Sequence, residues 1–296
     1  MEEMTTGLCP KCGHTLQIPA ELERFSCMYC GERLTKRQLL TQPEEASCSE
    51  EDCAVSFDHA VSRLGWCVQN FRGYQKKILR DAFFEAFETY ETGCAPVIQE
   101  LNSGVRPERQ TELLDRAAEA MLGELSAGWE KKNDMEDEKV ILAIFFVPMV
   151  RKLQLPVSEE FVSLLQKKWV ERYPKSPFYL GDYESISGGF RKKFLGLCFI
   201  TTAVCQELDK PDERFAVRLR GKIAVAEGEA LIREYYNIAP GIVTCINTCS
   251  DRHASYERIR EQYLTPCYED LLAGRNADCK TRYVQMVRDL EREYLN

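Results

Sequence analysis

The chain has 296 residues, of which 44% are hydrophobic, and a formal charge of −8. It is long enough for a small unit plus one or two further domains, apolar enough to bury a substantial core, and of the wrong overall sign for coating nucleic acid. Fourteen cysteines would suit an oxidised secreted scaffold, but Met1-Glu2-Glu3-Met4 opens no basic and apolar leader, so a reducing cytoplasm is the expected setting.

The first predicted element is a metal site. Cys9-Pro10-Lys11-Cys12-Gly13 and Cys27-Met28-Tyr29-Cys30-Gly31 are two CxxCG knuckles with fourteen residues between Cys12 and Cys27. Two cysteines separated by two residues can turn their sulfurs to one ion, and a second such pair completes a tetrahedral zinc site with Zn–S distances of about 2.3 Å. Gly13 and Gly31 suit the left-handed backbone that reverses the chain around a metal. Thr15-Leu16-Gln17-Ile18 and Arg24-Phe25-Ser26 alternate as short strands do, with Pro19-Ala20-Glu21 as a bend. Residues 1–40 therefore read as a zinc ribbon holding one structural Zn²⁺ through Cys9, Cys12, Cys27 and Cys30. The doubled spacing disfavours paired disulfides or a redox dithiol, and coordination number leaves His14 no ligand role.

Residues 41–53 carry Glu44, Glu45, Glu50, Glu51 and Asp52 with no basic residue, and read as a solvated acidic linker. Cys48 and Cys53 lie in it and could hold half of another metal site, but linker thiols with no partner pair are the preferred expectation. A helical domain is expected over 54–173. Leu79, Phe83, Ala86, Phe87 and Tyr90 share one helix face; Pro107 opens the next helix, striped by Leu113, Leu114, Ala117, Met121 and Leu125 and ending near Gly128. Asn133 with Glu136 has the form of a capping box. The apolar run Val140–Val150 contains Pro148 and is too short for a bilayer, so it predicts a buried helix kinked or split at the proline. Ser158 is expected to cap a helix with Phe161, Leu164, Leu165 and Trp169 inward, which Pro174 stops.

A connecting segment follows at 174–195, where Tyr173-Pro174-Lys175-Ser176-Pro177 and Ser187-Gly188-Gly189 interrupt the helices. Residues 196–296 are again helical, with openings at Asp209-Lys210-Pro211-Asp212, Ser250 and Thr265-Pro266, and a last stripe of Val284, Val287, Leu290 and Tyr294. The fold class is thus mainly α, with short β structure in the ribbon alone.

Gly196-Leu197-Cys198-Phe199-Ile200-Thr201-Thr202-Ala203-Val204-Cys205, then Arg218-Leu219-Arg220, then Glu234-Tyr235-Tyr236-Asn237-Ile238-Ala239-Pro240-Gly241-Ile242-Val243 resembles the CFI-box C-terminal domain of bacterial proteins. The likeness covers residues 196–250 and departs from the family's usual Arg-x-Phe-Arg-Asp at Arg218-Leu219-Arg220-Gly221-Lys222. It implies a bacterial cytoplasmic module found behind varied N-terminal parts, ribbons among them, with no established activity.

Three functional readings follow. The leading one is a non-enzymatic cytoplasmic protein whose ribbon meets a protein partner while the helices act as a scaffold. The second is an enzyme or sensor binding an anionic ligand between the helical and CFI-box domains through Arg218, Arg220, Tyr235 and Tyr236, all of which also suit plain packing or solvated faces. The third, a nucleic-acid ribbon, is disfavoured because residues 1–46 carry five basic and seven acidic residues. Cys198 and Cys205 are the candidate reactive thiols, with only His59 and His253 left as bases once His14 is set aside, and a buried helix is the preferred reading of that run. Cys245 with Cys249 and Cys267 with Cys279 could form a second metal or redox site, but small core residues are the preferred reading. No catalytic residue and no membrane segment is assigned.

Overall fold

The computed structural model describes residues 4–9, 15–19, 22–29, 31–36, 50–131, 133–191, 199–208, 229–249 and 251–295. It is mainly helical, and among the described residues every strand lies near the N-terminus. The chain divides into two compact units, residues 1–53 and 54–296.

The first unit is built from two antiparallel hairpins. Strand β1 (Met4–Leu8) pairs with β2 (Thr15–Pro19), Leu8 facing Thr15; β3 (Arg24–Ser26) pairs with β4 (Arg33–Thr35), Phe25 facing Leu34. The alternation in β2 and β3 is legible in sequence, and it turns Leu16 and Ile18 inward. The outer strands are not legible, because β1 contains Gly7 and β4 is the short basic run Arg33-Leu34-Thr35; each becomes a strand by pairing with a partner across its turn.

Helix α1 (Glu50–Leu64) starts inside the span expected to be linker. Glu50, Glu51 and Asp52 occupy its first turn, where carboxylates favour the positive end of the helix dipole, and Cys53 is buried rather than a linker thiol. Cys48 lies outside the described residues.

The second unit continues through α2 (Trp66–Gln69), α3 (Phe83–Gly104), α4 (Gln110–Ala127), α5 (Asp134–Ile141), α6 (Val147–Lys152), α7 (Ser158–Arg172) and α8 (Tyr183–Arg191). It closes with α9 (Phe199–Glu207), α10 (Glu229–Thr248), α11 (Arg252–Ile259), α12 (Thr265–Leu272) and α13 (Asn276–Tyr294). The expected stripes face inward: Leu114, Ala117, Met121 and Leu125 of α4, and Phe161, Leu165 and Trp169 of α7, are fully buried.

Ile141 to Val150 is buried on every side, as an apolar run with no polar face must be. Pro148 splits it, in a specific way. Proline has no N–H to return to the preceding turn, and the helix accommodates this by a π turn over Leu142–Phe146 before resuming as α6. The same device recurs at Arg260–Leu264, just before Thr265-Pro266, joining α11 to α12.

Three local expectations are corrected. Asn133 stands at the N-cap of α5 without a side-chain cap bond; the Asp134 carboxylate instead accepts the N–H groups of Glu130 (2.8 Å) and Lys131 (2.9 Å). Ser158 is the first residue of α7, not its cap, and its hydroxyl donates to the Val150 carbonyl (2.7 Å) while accepting the Leu155 N–H (3.1 Å). Ser187-Gly188-Gly189 does not interrupt helix, since α8 runs through it on the strength of its buried Ile186 and Phe190.

The segment 174–195 separates no cores. One apolar core runs from Phe57 to Leu295, and α10 packs on α8, α9, α13 and the Leu142–Phe146 turn. The expected opening at Asp209-Lys210-Pro211-Asp212 and Ser250 lie outside the described residues; Asp251 is the residue that precedes α11.

Candidate metal centre

In sequence, each knuckle falls between the two paired strands of one hairpin. The first follows Leu8, the last residue of β1, and leads into Thr15, the first of β2; the second lies between Ser26 and Arg33, which face each other across β3 and β4. In the second knuckle the Gly31 N–H donates to the Cys27 carbonyl and the Cys27 N–H donates to the Glu32 carbonyl, both at 2.8 Å. Gly31 has φ +73°, the left-handed conformation that its place after Cys30 calls for.

Cys9 and Cys27 are 0% and 2% exposed, and they share one small core with Leu16 and Leu34, flanked by Phe25. Two cysteines at the turns of two separate hairpins thus converge on one spot. So small a core gives little apolar burial to stabilise 40 residues, and bound metal would supply the missing cohesion. The donor set fits zinc: soft thiolates in two knuckles, with no carboxylate or water position required. Cys12, Cys30, Gly13 and His14 lie outside the described residues. Among the described residues no group of three or more His, Cys, Asp or Glu comes together.

A feature the sequence reading passed over lies on this knuckle. Met28 and Tyr29, between Cys27 and Cys30, are 79% and 57% exposed. The signal was available, since the first knuckle carries Pro10-Lys11 where the second carries two large apolar side chains.

Of the four residues that the second reading would use for an anionic ligand, Arg218 and Arg220 lie outside the described residues. Tyr235 and Tyr236 are half-buried at the junction of α10 with α9. The Tyr235 hydroxyl accepts the Ile200 N–H at 3.2 Å, near the start of α9, and lies 3.2 Å from the Tyr283 hydroxyl. The Tyr236 ring meets Phe199 edge-on at 6.4 Å and Tyr235 at 5.4 Å. The two halves of the stretch 196–250 are therefore joined through their own aromatic residues. Downstream, the Asn237 carbonyl accepts the Arg80 N–H and its side-chain oxygen accepts the Asp81 N–H, each at 3.0 Å.

Cys198 lies outside the described residues, and Cys205 is half-buried on α9, whose Phe199, Ile200, Thr201 and Val204 are buried. His59 Nδ1 lies 2.7 Å from a Glu100 carboxylate oxygen, and His253 faces Glu207 and Glu257. The four later cysteines fall into two pairs. Cys249 Sγ, just past the end of α10, donates to the Cys245 carbonyl at 3.3 Å, and burial pushes both thiols up in pKa. Cys267 and Cys279 meet across α12 and α13. Cys67 and Cys94, unremarked in sequence, form a third pair across α2 and α3.

No helix among the described residues is long and apolar enough to cross a membrane. Compared with models of protein families, with curated proteins and with solved structures, the chain matches none.

Proposed function

We propose that this is a zinc-binding interaction protein of the bacterial cytoplasm. Cys9, Cys12, Cys27 and Cys30 hold one structural Zn²⁺, the ribbon meets a protein partner, and the helical unit with its CFI-box-like stretch serves as scaffold. The observation that carries the partner reading is the exposure of Met28 and Tyr29 on the second knuckle. Side chains of that size and polarity on a rigid metal-tied turn are the kind that anchor protein interfaces, and the net charge of the first 46 residues is wrong for phosphate. Support for the CFI-box reading comes from the contacts of Tyr235 and Tyr236 with Ile200 and Phe199, which give the two separated motif segments a shared structural purpose.

The test is purification of the tagged full chain with bound metal quantified, beside a Met28→Asp/Tyr29→Ala variant. One zinc per chain in both proteins, with a stoichiometric protein partner retained only by the parent, is the expected result. Absence of zinc from the parent, or equal retention of the partner by the variant, overturns it.

A further inference from the structure

Cys267 and Cys279 are 0% and 1% exposed, on different helices, with the Cys267 sulfur 3.6 Å from the Cys279 carbonyl oxygen. That proximity sets the two residues side by side across the α12–α13 junction. Their surroundings are not those of inert core thiols. Cys279 stands in the first turn of α13, where the helix dipole favours a thiolate. Hydrogen bonding from the Cys267 thiol holds the Cys279 sulfur below its usual pKa, with Arg282 adding to that and burial and Asp270 opposing it; the same bond, with burial, pushes Cys267 up. Its place in the first turn of α13 makes Cys279 the better candidate for the attacking sulfur.

Access is also arranged. Residues 272–278, the turn at 273–275 with the helix ends on either side of it, are all exposed, and the turn reverses at Gly274, φ +76°. It is fastened by the Asp270 carboxylate, which accepts from Arg275 Nε at 2.9 Å and faces Arg282 Nε at 3.4 Å. A short exposed turn held by ion pairs opens locally far more readily than a packed helix.

We propose that Cys267 and Cys279 are a thiol–disulfide site, oxidised by hydrogen peroxide to a cross-link between α12 and α13. The Cys279 thiolate attacks a peroxide oxygen; the O–O bond breaks, and the hydroxide released takes up the proton Cys279 gave, leaving water and a sulfenic acid. The Cys267 sulfur then attacks that sulfur; the S–S bond forms, the S–O bond breaks, and a second water leaves with the Cys267 proton. Two thiols lose two electrons and the peroxide gains them. This site is independent of the zinc reading.

The experiment uses the full reduced chain treated with graded hydrogen peroxide, quenched, unfolded, alkylated with N-ethylmaleimide and cleaved with trypsin. Cleavage after Arg275 separates the two cysteines, so the expected product is a pair of peptides joined through Cys267 and Cys279, two hydrogens lighter than the free thiols and released by dithiothreitol. In Cys267→Ser, Cys279 stops at the sulfenic acid and is trapped by dimedone; in Cys279→Ser, Cys267 stays fully alkylated at the same dose. Cys67 and Cys94 provide an internal reference: Cys94 Sγ lies 3.8 Å from the Cys67 carbonyl, which also accepts the Tyr90 hydroxyl in the closed core, and they are expected to stay reduced. Full alkylation of Cys267 and Cys279 after other cysteines have reacted, or earlier cross-linking of Cys67 to Cys94, overturns the proposal, and both are read on the parent protein whether or not the serine variants fold.

Discussion

Gly241 lies directly against the carbonyl oxygen of Ile78: a Cβ at residue 241 would stand 1.9 Å from that oxygen. Backbone cannot move aside as a flexible side chain can, so only glycine permits α10 to approach the chain at 78–81 this closely. Gly241→Ala is expected to cost about 3 kcal/mol or more through overpacking, read as a lower urea midpoint. A loss below about 0.5 kcal/mol would show that the two segments part without penalty.

Tyr235→Phe removes the hydroxyl that accepts the Ile200 N–H and neighbours the Tyr283 hydroxyl. Removing the acceptor of the Ile200 N–H at a half-buried junction should cost about 1–2 kcal/mol. Faster amide hydrogen exchange near the start of α9, with exchange in α4 unchanged, would locate the effect.

Phe145 sits among Tyr74, Phe83 and Tyr90, with ring centroids 5.5, 5.9 and 5.5 Å away. Phe145→Ala opens a cavity inside this ring cluster and should cost about 3–5 kcal/mol. Equilibrium unfolding followed by both near-ultraviolet and far-ultraviolet circular dichroism is the check.

Asp270, buried beneath Arg275 and Arg282, has its carboxyl held below the ordinary carboxylate range by hydrogen bonds from Arg275 first and Arg282 second, against the opposing effect of burial. A depressed folded-state pKa contributes stability that is complete above the unfolded value near 3.9 and is lost as the pH falls through the folded value. Asp270→Asn should therefore lower stability at neutral pH and flatten the acid limb of a stability–pH curve. An unchanged limb would assign acid unfolding to other carboxylates, such as Glu234, held down by Arg288.

If the knuckles bind zinc, Cys9→Ser and Cys27→Ser each abolish stoichiometric metal, and a chelator removes it from the parent. The strands lie in one compact unit and nearly all the helices in the other, so chelation should leave most far-ultraviolet helical signal in place. Collapse of that signal would mean the metal holds more than the ribbon.

What could be read in advance followed from how local each cause was. Periodicity placed α4 and α7 because Leu114, Met121, Phe161 and Trp169 each recur at helical spacing, and Val140–Val150 was legible as core because it lacks a polar face. The outer strands escaped because Met4–Leu8 and Arg33–Thr35 are strands only by virtue of their partners. Gly188-Gly189 misled for the converse reason: tertiary packing of Ile186 and Phe190 outweighs the poor helix propensity of glycine. Within the candidate site, spacing pointed to Cys9 and Cys27, which share one small core, whereas the proximity of Cys267 to Cys279 depends on a fold that spacing does not encode.

The π turn at Leu142–Phe146 reaches beyond the proline that occasions it. One extra residue in a helical turn rotates everything downstream by about 100°. That rotation decides that Met149 and Val150 meet the core while the Lys152 ammonium lies 5.6 Å from the centre of the Phe87 ring and 4.7 Å from that of Tyr183. Deleting one residue of the turn together with Pro148→Ala would give a more regular helix with its last turn facing the wrong way. The irregularity acts as a phase setting: it is a count of residues, held by Pro148, that tells α6 which way to look.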